Sequence, residues 1–214
     1  MKIAIIGSGE VGQALAKGLV ELGHKVMIGT RDTEKKELKW TKKVHHEILS
    51  VGSFAEAADF GEIAILAVVW HAAENVLNII RPEVSGKIVI DLTNPLVFSE
   101  DGSPSLSVGH DMSAGEIVQQ TLSDSHVVKT LNTINFRNMV NPKFKTAVPT
   151  MFMCGNNDSA KNHVRQLLVQ MGWVDIQDIG DIEKSRILEP LCLLWVEYGV
   201  ANNTWNHAVS IITK

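Results

Sequence analysis

The sequence contains little cysteine and no long apolar run. Its two cysteines, Cys154 and Cys192, lie far apart and have no CxxC or Cys/His spacing around them. This excludes a disulfide scaffold and a thiolate zinc site, so no metal is expected, and it favours a reducing compartment. No stretch approaches the roughly 20 apolar residues that span a bilayer, and the apolar run before Gly7 is too short for a signal peptide. We therefore expect a cytoplasmic protein without a membrane partner.

A strong excess of charge of one sign is also missing. The 214 residues include 20 Lys and Arg against 24 Asp and Glu, for a formal net charge of -4. A nucleic-acid-binding domain is typically strongly basic. The basic segment 31–46 contains Trp40 as its one aromatic residue, whereas a single-strand binder interleaves aromatics with its cations. No nucleic-acid partner is therefore expected, and the length suits one domain with at most a small appendage.

Apolar segments of strand length alternate with segments of helical period along the whole chain. Segment 63–69 reads Ile-Ala-Ile-Leu-Ala-Val-Val and is apolar on both faces, as a central parallel strand is. The alternation predicts an α/β fold, a doubly wound, mostly parallel sheet of the Rossmann type. The predicted strands are 2–6, 25–29, 63–69, 87–91, 127–131, 150–154 and the edge strand 174–178. The predicted helices are 10–22, 72–80, 159–171 and 181–212, the last interrupted near Gly199.

The first predicted strand ends in a glycine-rich turn. Residues 7–12 read Gly-Ser-Gly-Glu-Val-Gly and match GxGxxG at the opening of the first predicted helix. In this pattern Gly7 permits a tight turn, Gly9 allows a pyrophosphate to approach the backbone, and Gly12 lets the helix pack closely on the strand. The N-terminus of the helix then faces the phosphate charge. With its flanking strands in place, the motif predicts a dinucleotide site.

The end of the second predicted strand distinguishes between the two nicotinamide cofactors. NAD-binding domains usually place Asp or Glu there to bind the ribose 2′-hydroxyl. Here the strand ends in Gly29-Thr30-Arg31, so Arg31 can hold a 2′-phosphate while Thr30 donates a hydroxyl and Lys35 or Lys36 adds charge. Asp32 is more consistent with a cap of the next helix. We expect NADP(H) to be the cofactor.

Several further blocks, in order along nearly the whole chain, resemble one family. They are Asp91-Leu92-Thr93-Asn94-Pro95-Leu96, Val127-Val128-Lys129-Thr130-Leu131-Asn132-Thr133-Ile134, Gly155-Asn156-Asn157-Asp158 and Arg186-Ile187-Leu188-Glu189-Pro190-Leu191. Together with the glycine motif and Gly29-Thr30-Arg31, they make the sequence similar to the NADPH-dependent coenzyme F420 reductases. Members of this family transfer a hydride between NADP(H) and a deazaflavin. Similar domains occur in bacterial proteins without an assigned substrate and in membrane metalloreductases.

The resemblance implies a set of cofactor-binding residues. It assigns the pyrophosphate to the glycine motif, the 2′-phosphate to the end of the second strand, the riboses to the end of segment 63–69, and the nicotinamide and flavin-like rings to two later strand ends. In that order the residues are Gly7, Ser8, Gly9, Glu10, Val11 and Gly12; Thr30, Arg31 and Lys35; Ala67, Val68 and Val69; and Asn94, Pro95, Thr133 and Ile134. Val69 replaces a usual Pro, and His71-Ala72 stands where Glu-His is common.

Hydride transfer between stacked rings requires positioning and exclusion of water more than proton chemistry. The sequence accordingly offers no nucleophile or acid–base pair in an obvious motif. His71 and Asn132 each follow a predicted strand end and are the candidates for a catalytic contact. Glu189 is expected to pair with Arg186 three residues earlier, and Cys154 is expected to be an inert, buried thiol.

Two other functions remain open at the level of sequence. An imine or hydroxyacid dehydrogenase shares such a first domain, but it usually carries a further helical substrate domain of roughly a hundred residues. An NADP(H)-binding redox sensor or electron-donor module would bind cofactor without turning over a small substrate of its own. The hypothesis that the sequence favours is an NADP(H)-dependent oxidoreductase. Such an enzyme requires a small-molecule electron acceptor, a flavin or coenzyme F420 as co-substrate.

The C-terminal segment has one more expected role. Residues 1–180 are expected to form the NADP-binding domain, and 181–214 a helical tail that packs on the sheet or at a dimer interface, all within one structural domain. The apolar face of the tail suits contact with a second copy of the chain, so we expect a homodimer. That face comprises Leu188, Leu191, Leu194, Trp195 and Tyr198.

Overall fold

The computed structural model describes residues 1–213, which form ten strands and six α-helices. The strands are β1 (Lys2–Ile6), β2 (Lys25–Gly29), β3 (Leu49–Gly52), β4 (Ile63–Leu66), β5 (Ile88–Asp91), β6 (Leu96–Phe98), β7 (Pro104–Leu106), β8 (His126–Thr130), β9 (Thr150–Gly155) and β10 (Asp175–Asp178). The helices are α1 (Glu10–Glu21), α2 (Phe54–Phe60), α3 (Trp70–Ile80), α4 (Ala114–Thr121), α5 (Asp158–Gln170) and α6 (Ser185–Ala201).

Eight of these strands form one sheet in the order β10-β9-β8-β5-β4-β1-β2-β3. All neighbours run parallel except β8 and β9, which are antiparallel. The strand order reverses between β1 and β4, and ligands of open α/β sheets bind beyond the carboxyl ends of the strands at such a point. The predicted doubly wound, mostly parallel Rossmann sheet is therefore confirmed.

Alternate residues of β1 belong to the two apolar layers that sandwich the sheet. Ile3 and Ile5 pack with the layer under α1 and α5, whereas Ala4 and Ile6 pack with the layer under α2 and α3. All four side chains are fully buried, which is why the central strands read as apolar on both faces. The helical contributors to the layers include Leu15, Leu19, Val164 and Leu168 on one side and Ala57, Val76 and Leu77 on the other.

The structure corrects several predicted elements. β4 ends at Leu66 instead of residue 69, because the chain turns there and α3 begins at Trp70. The short elements β3 and α2 were not predicted, and neither was the β6–β7 hairpin. The last helix ends at Ala201 instead of residue 212. The chain folds back across Gly199, where a Cβ would lie 2.8 Å from the Trp205 ring.

The end of the described chain returns to the sheet instead of continuing as helix. The amide of Thr150 donates to the Val209 carbonyl at 2.9 Å, and the amide of Ile211 donates to the Thr150 hydroxyl at 2.9 Å. The Trp195 indole on α6 donates to the His207 carbonyl, and His207 Nε2 contacts the Trp195 carbonyl. The two rings stack with their centroids 4.6 Å apart. The segment after α6 is therefore held against both β9 and its own helix.

Candidate functional site

The glycine motif lies at the carboxyl end of β1, beside the point where the strand order reverses. Gly7 has a φ of 131°, and a Cβ there would lie 2.2 Å from the Ala67 carbonyl oxygen. A Cβ at Gly12 would lie 2.1 Å from the Gly7 carbonyl oxygen. Gly7 also donates its amide hydrogen to the Gly29 carbonyl at 3.0 Å. These contacts bring the ends of β1, β2 and β4 together around one turn.

Gly9 is exposed, in contrast to the two crowded glycines. Among residues 1–213, no heavy atom lies within 4 Å of the position that its Cβ would take. Gly9 is also the N-cap of α1, and no side chain of the described residues accepts a hydrogen bond there. The first N–H groups of a helix have no intrahelical partner and attract anions. A diphosphate therefore fits at this turn, hereafter the phosphate cradle (residues 7–12).

The end of β2 is linked to the phosphate cradle. The Ser8 and Thr30 hydroxyls share a hydrogen bond of 2.8 Å, and the Thr30 hydroxyl accepts from the Asp32 amide at 3.3 Å. The Asp32 carboxylate accepts from the Glu34 amide at 3.0 Å, so it caps a turn instead of standing at the strand tip. Arg31 is exposed beside Thr30. The arrangement presents a hydroxyl and a guanidinium, without an acidic competitor at the tip.

Lys35 lies farther from that strand end. It is half-buried at the start of a short 3-10 segment, Lys36–Lys43, and it lines a groove of about 460 Å³. The other walls of this groove include Ser50 and Gly52 of β3 and Glu56 of α2. Lys35 thus borders a cavity at the β3 edge of the sheet.

Residues after β4 form the wall opposite the phosphate cradle. The Ala67 amide donates to the Ile6 carbonyl at 2.8 Å, and the Val68 side chain lies 3.3 Å from the position that a Gly7 Cβ would take. Val69 is the N-cap of α3 and is 61% exposed. His71 is exposed in the first turn of that helix. The segment provides an apolar wall with one imidazole at its rim.

Asn94 and Asn132 join the ends of β5 and β8. Asn132 donates its side-chain amide to the Asn94 side-chain oxygen and to the Leu188 carbonyl, both at 3.0 Å. Asn94 in turn donates to the Asn132 carbonyl at 2.9 Å. Both amide hydrogens of Asn132 are thus used, and the residue is only 5% exposed. The Asn132 side chain is placed to hold two strand ends together.

Pro95, Thr133 and Ile134 lie beside that asparagine pair. All three are buried, and the Pro95 carbonyl accepts from both the amide and the hydroxyl of Ser107, at 2.8 and 3.1 Å. The β6–β7 hairpin begins directly after Pro95 and is held back onto it by these bonds. Phe98 of the hairpin is 61% exposed. The strand ends of β5 and β8 and this hairpin therefore border the same end of the sheet.

Sequence reasoning missed a buried ionic cluster behind this end of the sheet. Lys129 of β8 contacts Asp91 of β5 at 2.8 Å and Glu189 of α6 at 3.1 Å, and all three side chains are at most 1% exposed. The sequence did contain a signal for it, because Asp91, Lys129 and Glu189 each lie within a largely apolar segment. Burial lowers the pKa of Lys129, but the two carboxylates outweigh it and the net pKa is raised. The lysine is therefore held as an ammonium.

Glu189 does not pair with Arg186, contrary to the prediction from their spacing. Its carboxylate turns inward and accepts from the amides of Ala114 and Gly115, both at 3.0 Å, at the N-terminus of α4. Burial raises the pKa of Glu189, opposed by Lys129 and by these amides. Each group found in contact with the Glu189 carboxylate is a hydrogen-bond donor or a cation. Such partners favour the charged form, so we infer that Glu189 is ionised at this site. Arg186 instead binds Glu116 of α4, with Nε to Oε2 at 2.8 Å.

Neither a metal site nor a membrane span is found in residues 1–213. No three His, Cys, Asp or Glu side chains of that range are arranged to hold a metal ion. Within the same range, no helix has the length and apolar character needed to cross a bilayer.

The strand order, the phosphate cradle and the strand-end residues define a dinucleotide-binding Rossmann protein of the oxidoreductase class. The family model described as NADP oxidoreductase, coenzyme F420-dependent, matches residues 2–95. The F420-dependent NADP reductase of Methanocaldococcus jannaschii is 30% identical over 209 residues, covering 92% of this chain and 91% of that protein. The chain belongs to this family of F420-dependent NADP oxidoreductases.

One solved structure agrees with this assignment, and more distant matches carry other names. The crystal structure of a candidate F420-dependent NADP reductase from Arthrobacter sp. FB24 superposes with a TM-score of 0.93, at 35% identity and with 100% of both chains covered. Human metalloreductase STEAP2 is 24% identical over 89% of this chain but only 36% of its own length. A Streptomyces aurantiacus imine reductase shares the fold at a TM-score of 0.65 and 16% identity, with 64% of its chain covered.

Proposed function

We propose that this protein transfers a hydride between NADP(H) and the deazaflavin coenzyme F420. The observation that carries the proposal is the open, uncapped phosphate cradle next to a β2 end that presents Thr30 and Arg31 without an acid. The relatives of the chain indicate the acceptor, since three of them are F420-dependent NADP reductases. When bound, NADPH supplies the hydride and the deazaflavin ring accepts it.

The residues of the chain then act by binding and orienting. The phosphate cradle holds the diphosphate, the end of β2 holds the 2′-phosphate, the segment after β4 lines the riboses, and the ends of β5 and β8 border the rings. In that order the residues are Gly7, Ser8, Gly9, Glu10, Val11 and Gly12; Thr30, Arg31 and Lys35; Ala67, Val68 and Val69; Asn94, Pro95, Thr133 and Ile134. Arg31 is the leading phosphate ligand, and Lys35 acts from farther away.

The two candidate catalytic residues receive different roles. His71 is exposed at the rim and is proposed to contact the bound cofactor or acceptor. Asn132 has both amide hydrogens engaged by the protein, so we assign it to holding the ring-side loops in place. No proton donor is required for the transfer itself, because the hydride carries both electrons between the rings.

The acceptor assignment is tested by following NADPH oxidation at 340 nm with coenzyme F420, FMN or no acceptor. We expect steady turnover with the deazaflavin, and its loss in Gly9→Val, whose Cβ would project into the phosphate cradle with no heavy atom of residues 1–213 within 4 Å beyond its chain neighbours. An unchanged melting temperature for Gly9→Val is the control for folding. NADPH binding without turnover of any acceptor would favour a redox sensor or electron-donor module instead. Turnover of imines or hydroxyacids alone would favour the dehydrogenase alternative.

We also propose that the protein is a homodimer that uses the outer face of α6. Leu188 and Trp195, expected on the contact face, pack inward, whereas Ile187, Leu194 and Tyr198 are 58, 64 and 52% exposed along one stripe. A contiguous apolar stripe of this kind is typical of an interface. Light scattering should give twice the chain mass of 23.5 kDa.

The dimer proposal has a matched pair of variants. Leu194→Glu places a charge in the stripe and should give the monomer mass. Val174→Glu, at a position 79% exposed just before β10, should leave the dimer intact. A wild-type mass of 23.5 kDa would contradict the proposal.

The tail is proposed to be part of the same domain as residues 1–180. Residues 181–214 include α6, and Glu189 on that helix contacts Lys129 in the sheet.

We further propose a cytoplasmic location. Burial raises the pKa of the Cys154 thiol to about 11 and that of Cys192 to about 12, so both remain protonated thiols near neutral pH. Fractionation of cells followed by immunoblotting tests the location, and recovery with membranes would contradict it.

A further inference from the structure

The ammonium of Lys129 makes two hydrogen bonds and one further ion-pair contact. It donates to Asp91 Oδ2 at 2.8 Å and to the Thr93 carbonyl at 2.7 Å, and it lies 3.1 Å from Glu189 Oε1. The cluster holds one cation and two carboxylates, a net formal charge of -1, at a site that solvent does not contact. Apolar residues of similar volume would often stabilise such a site equally well or better. The fold alone therefore does not account for a lysine here.

The cluster fixes one particular loop, the ring-side loop (residues 92–95). Besides the Thr93 carbonyl held by Lys129, the Thr93 amide and hydroxyl both donate to Asp91 Oδ1, at 2.9 and 2.7 Å. Asn94, the next residue, is held by its pair with Asn132. Every polar backbone or side-chain group of Thr93 is thus engaged within the cluster. Asn94 and Pro95 follow in a conformation that the cluster sets.

The cluster is separate from the phosphate cradle. Its members come from β5, β8 and α6, whereas the cradle and the Thr30–Ser8 bond lie at the ends of β1 and β2. None of the hydrogen bonds or ion pairs found for Lys129 involves a residue of the cradle. A change in the cluster should therefore alter the ring end of a bound cofactor and leave its phosphate end unaffected.

We propose that Lys129 is a positioning residue for hydride transfer, which sets the ring-side loop by holding the Thr93 carbonyl. This inference rests on the proposed function, because that function places the nicotinamide beside Asn94 and Pro95. Lys129 touches neither ring and donates no proton to the reaction. Its effect is on geometry, to which hydride transfer is sensitive because the two reacting carbons must be held at near-attack distance.

The test uses a variant that removes the ammonium without leaving unpaired buried charges. The triple variant Lys129→Met, Asp91→Asn, Glu189→Gln is neutral. The side-chain oxygen at position 91 can still accept from Thr93, and the one at position 189 can still accept from one of the two amides of Ala114 and Gly115. Should it fail to fold, the double variant Lys129→Gln, Glu189→Gln keeps the net charge of the cluster and serves the same comparison. The matched control is Lys161→Met, which removes another buried lysine, paired with Asp158 and Asp178 on the far side of the sheet.

Three quantities are measured on the full chain: the Kd of NADPH, the kcat with coenzyme F420, and the fluorescence anisotropy of bound NADPH. We expect the ammonium-free variant to keep its Kd within about twofold, since the two ends share no contacts. Its kcat should fall by roughly 10–100-fold, and the nicotinamide anisotropy should drop. Lys161→Met should change none of the three.

The outcomes separate this proposal from the proposed function. Unchanged kcat and anisotropy in the ammonium-free variant would overturn the positioning role. So would a loss of NADPH affinity and of kcat that accompanies a loss of folding. If the wild type does not turn over coenzyme F420, the proposed function fails. The anisotropy comparison still decides whether Lys129 orders the nicotinamide: a drop supports the proposal, and no drop overturns it.

Discussion

Gly12 has a carbonyl oxygen where any other residue would carry a Cβ. The Gly7 carbonyl lies 2.1 Å from that position, so even one methyl group must displace either the turn or α1. Overpacking of this kind typically lowers the free energy of unfolding by about 1–3 kcal/mol. Because the turn also forms the phosphate cradle, the same displacement should weaken cofactor binding.

Gly12→Ala should therefore lower both the stability to urea and the affinity for NADPH. Gly109→Ala is the matched control, since no atom of residues 1–213 lies within 4 Å of its added Cβ. The control should change stability by less than about 0.5 kcal/mol. A Gly12→Ala protein with wild-type stability and wild-type NADPH affinity would show that the turn is not as tightly packed as described.

The residues of the phosphate cradle could be predicted from sequence because their requirements are local. GxGxxG specifies a turn and a helix start within six positions, and both lie where the motif predicts. The Lys129 cluster could not be predicted in this way. Its members belong to β5, β8 and α6, and only the folded sheet brings them together. The i, i+3 spacing of Arg186 and Glu189 was misleading, because Glu189 faces the interior and Arg186 contacts α4.

Helices α4 and α6 are joined by an ion pair between Glu116 and Arg186. Arg186 binds both carboxylate oxygens of Glu116, which is also bonded to Ser113. Arg186 and Ser113 together hold the pKa of the Glu116 carboxyl below its ordinary value of 4.5. A carboxyl with a lowered folded-state pKa stabilises the fold above its unfolded pKa, and this contribution is lost as the pH falls through the folded pKa.

Arg186→Met should accordingly lower the free energy of unfolding near pH 6, because the variant lacks the charge-assisted bonds to Glu116. The difference from wild type should shrink as the pH falls from about 4.5 through the lowered pKa of folded Glu116, because the unfolded carboxyl takes up its proton first and the folded one follows. Urea unfolding of both proteins at a series of pH values measures this difference in the free energy of unfolding. A difference that stays constant down to pH 3, or one that grows as the pH falls, would contradict the assigned ion pair.

The elements themselves were predictable in proportion to their apolar length. The buried strands β1, β2, β5, β8 and β9 lie within a residue or so of their predicted positions, because a run of apolar residues between turns has few other solutions. β3 reads Leu-Ser-Val-Gly and the β6–β7 hairpin contains Pro104, so neither has a strong strand pattern. The end of α6 depends on Trp205 packing over Gly199, a tertiary contact.

In the molecule as a whole, the two proposed roles, phosphate binding and ring positioning, belong to different strand ends of the sheet. The ends of β1 and β2 present the phosphate cradle with Thr30 and Arg31, while the ends of β5 and β8 carry the asparagine pair over the Lys129 cluster. Cofactor choice and hydride geometry should therefore respond to different substitutions. The tail contributes to the second role, because Glu189 and the Leu188 carbonyl both come from α6.

The dependence of this protein on NADP(H) is tested by titrating NADPH and NADH into wild type and Arg31→Ala. Loss of one charge-assisted contact to the 2′-phosphate should weaken NADPH binding by about 1.5–3 kcal/mol, roughly tenfold or more, without affecting NADH. The matched control is Lys42→Ala, an exposed cation of the same basic segment that pairs with Glu34. We expect a selective loss of NADPH affinity in Arg31→Ala and none in Lys42→Ala. Equal affinity of the wild type for NADH and NADPH, or equal loss of both in Arg31→Ala, would contradict it.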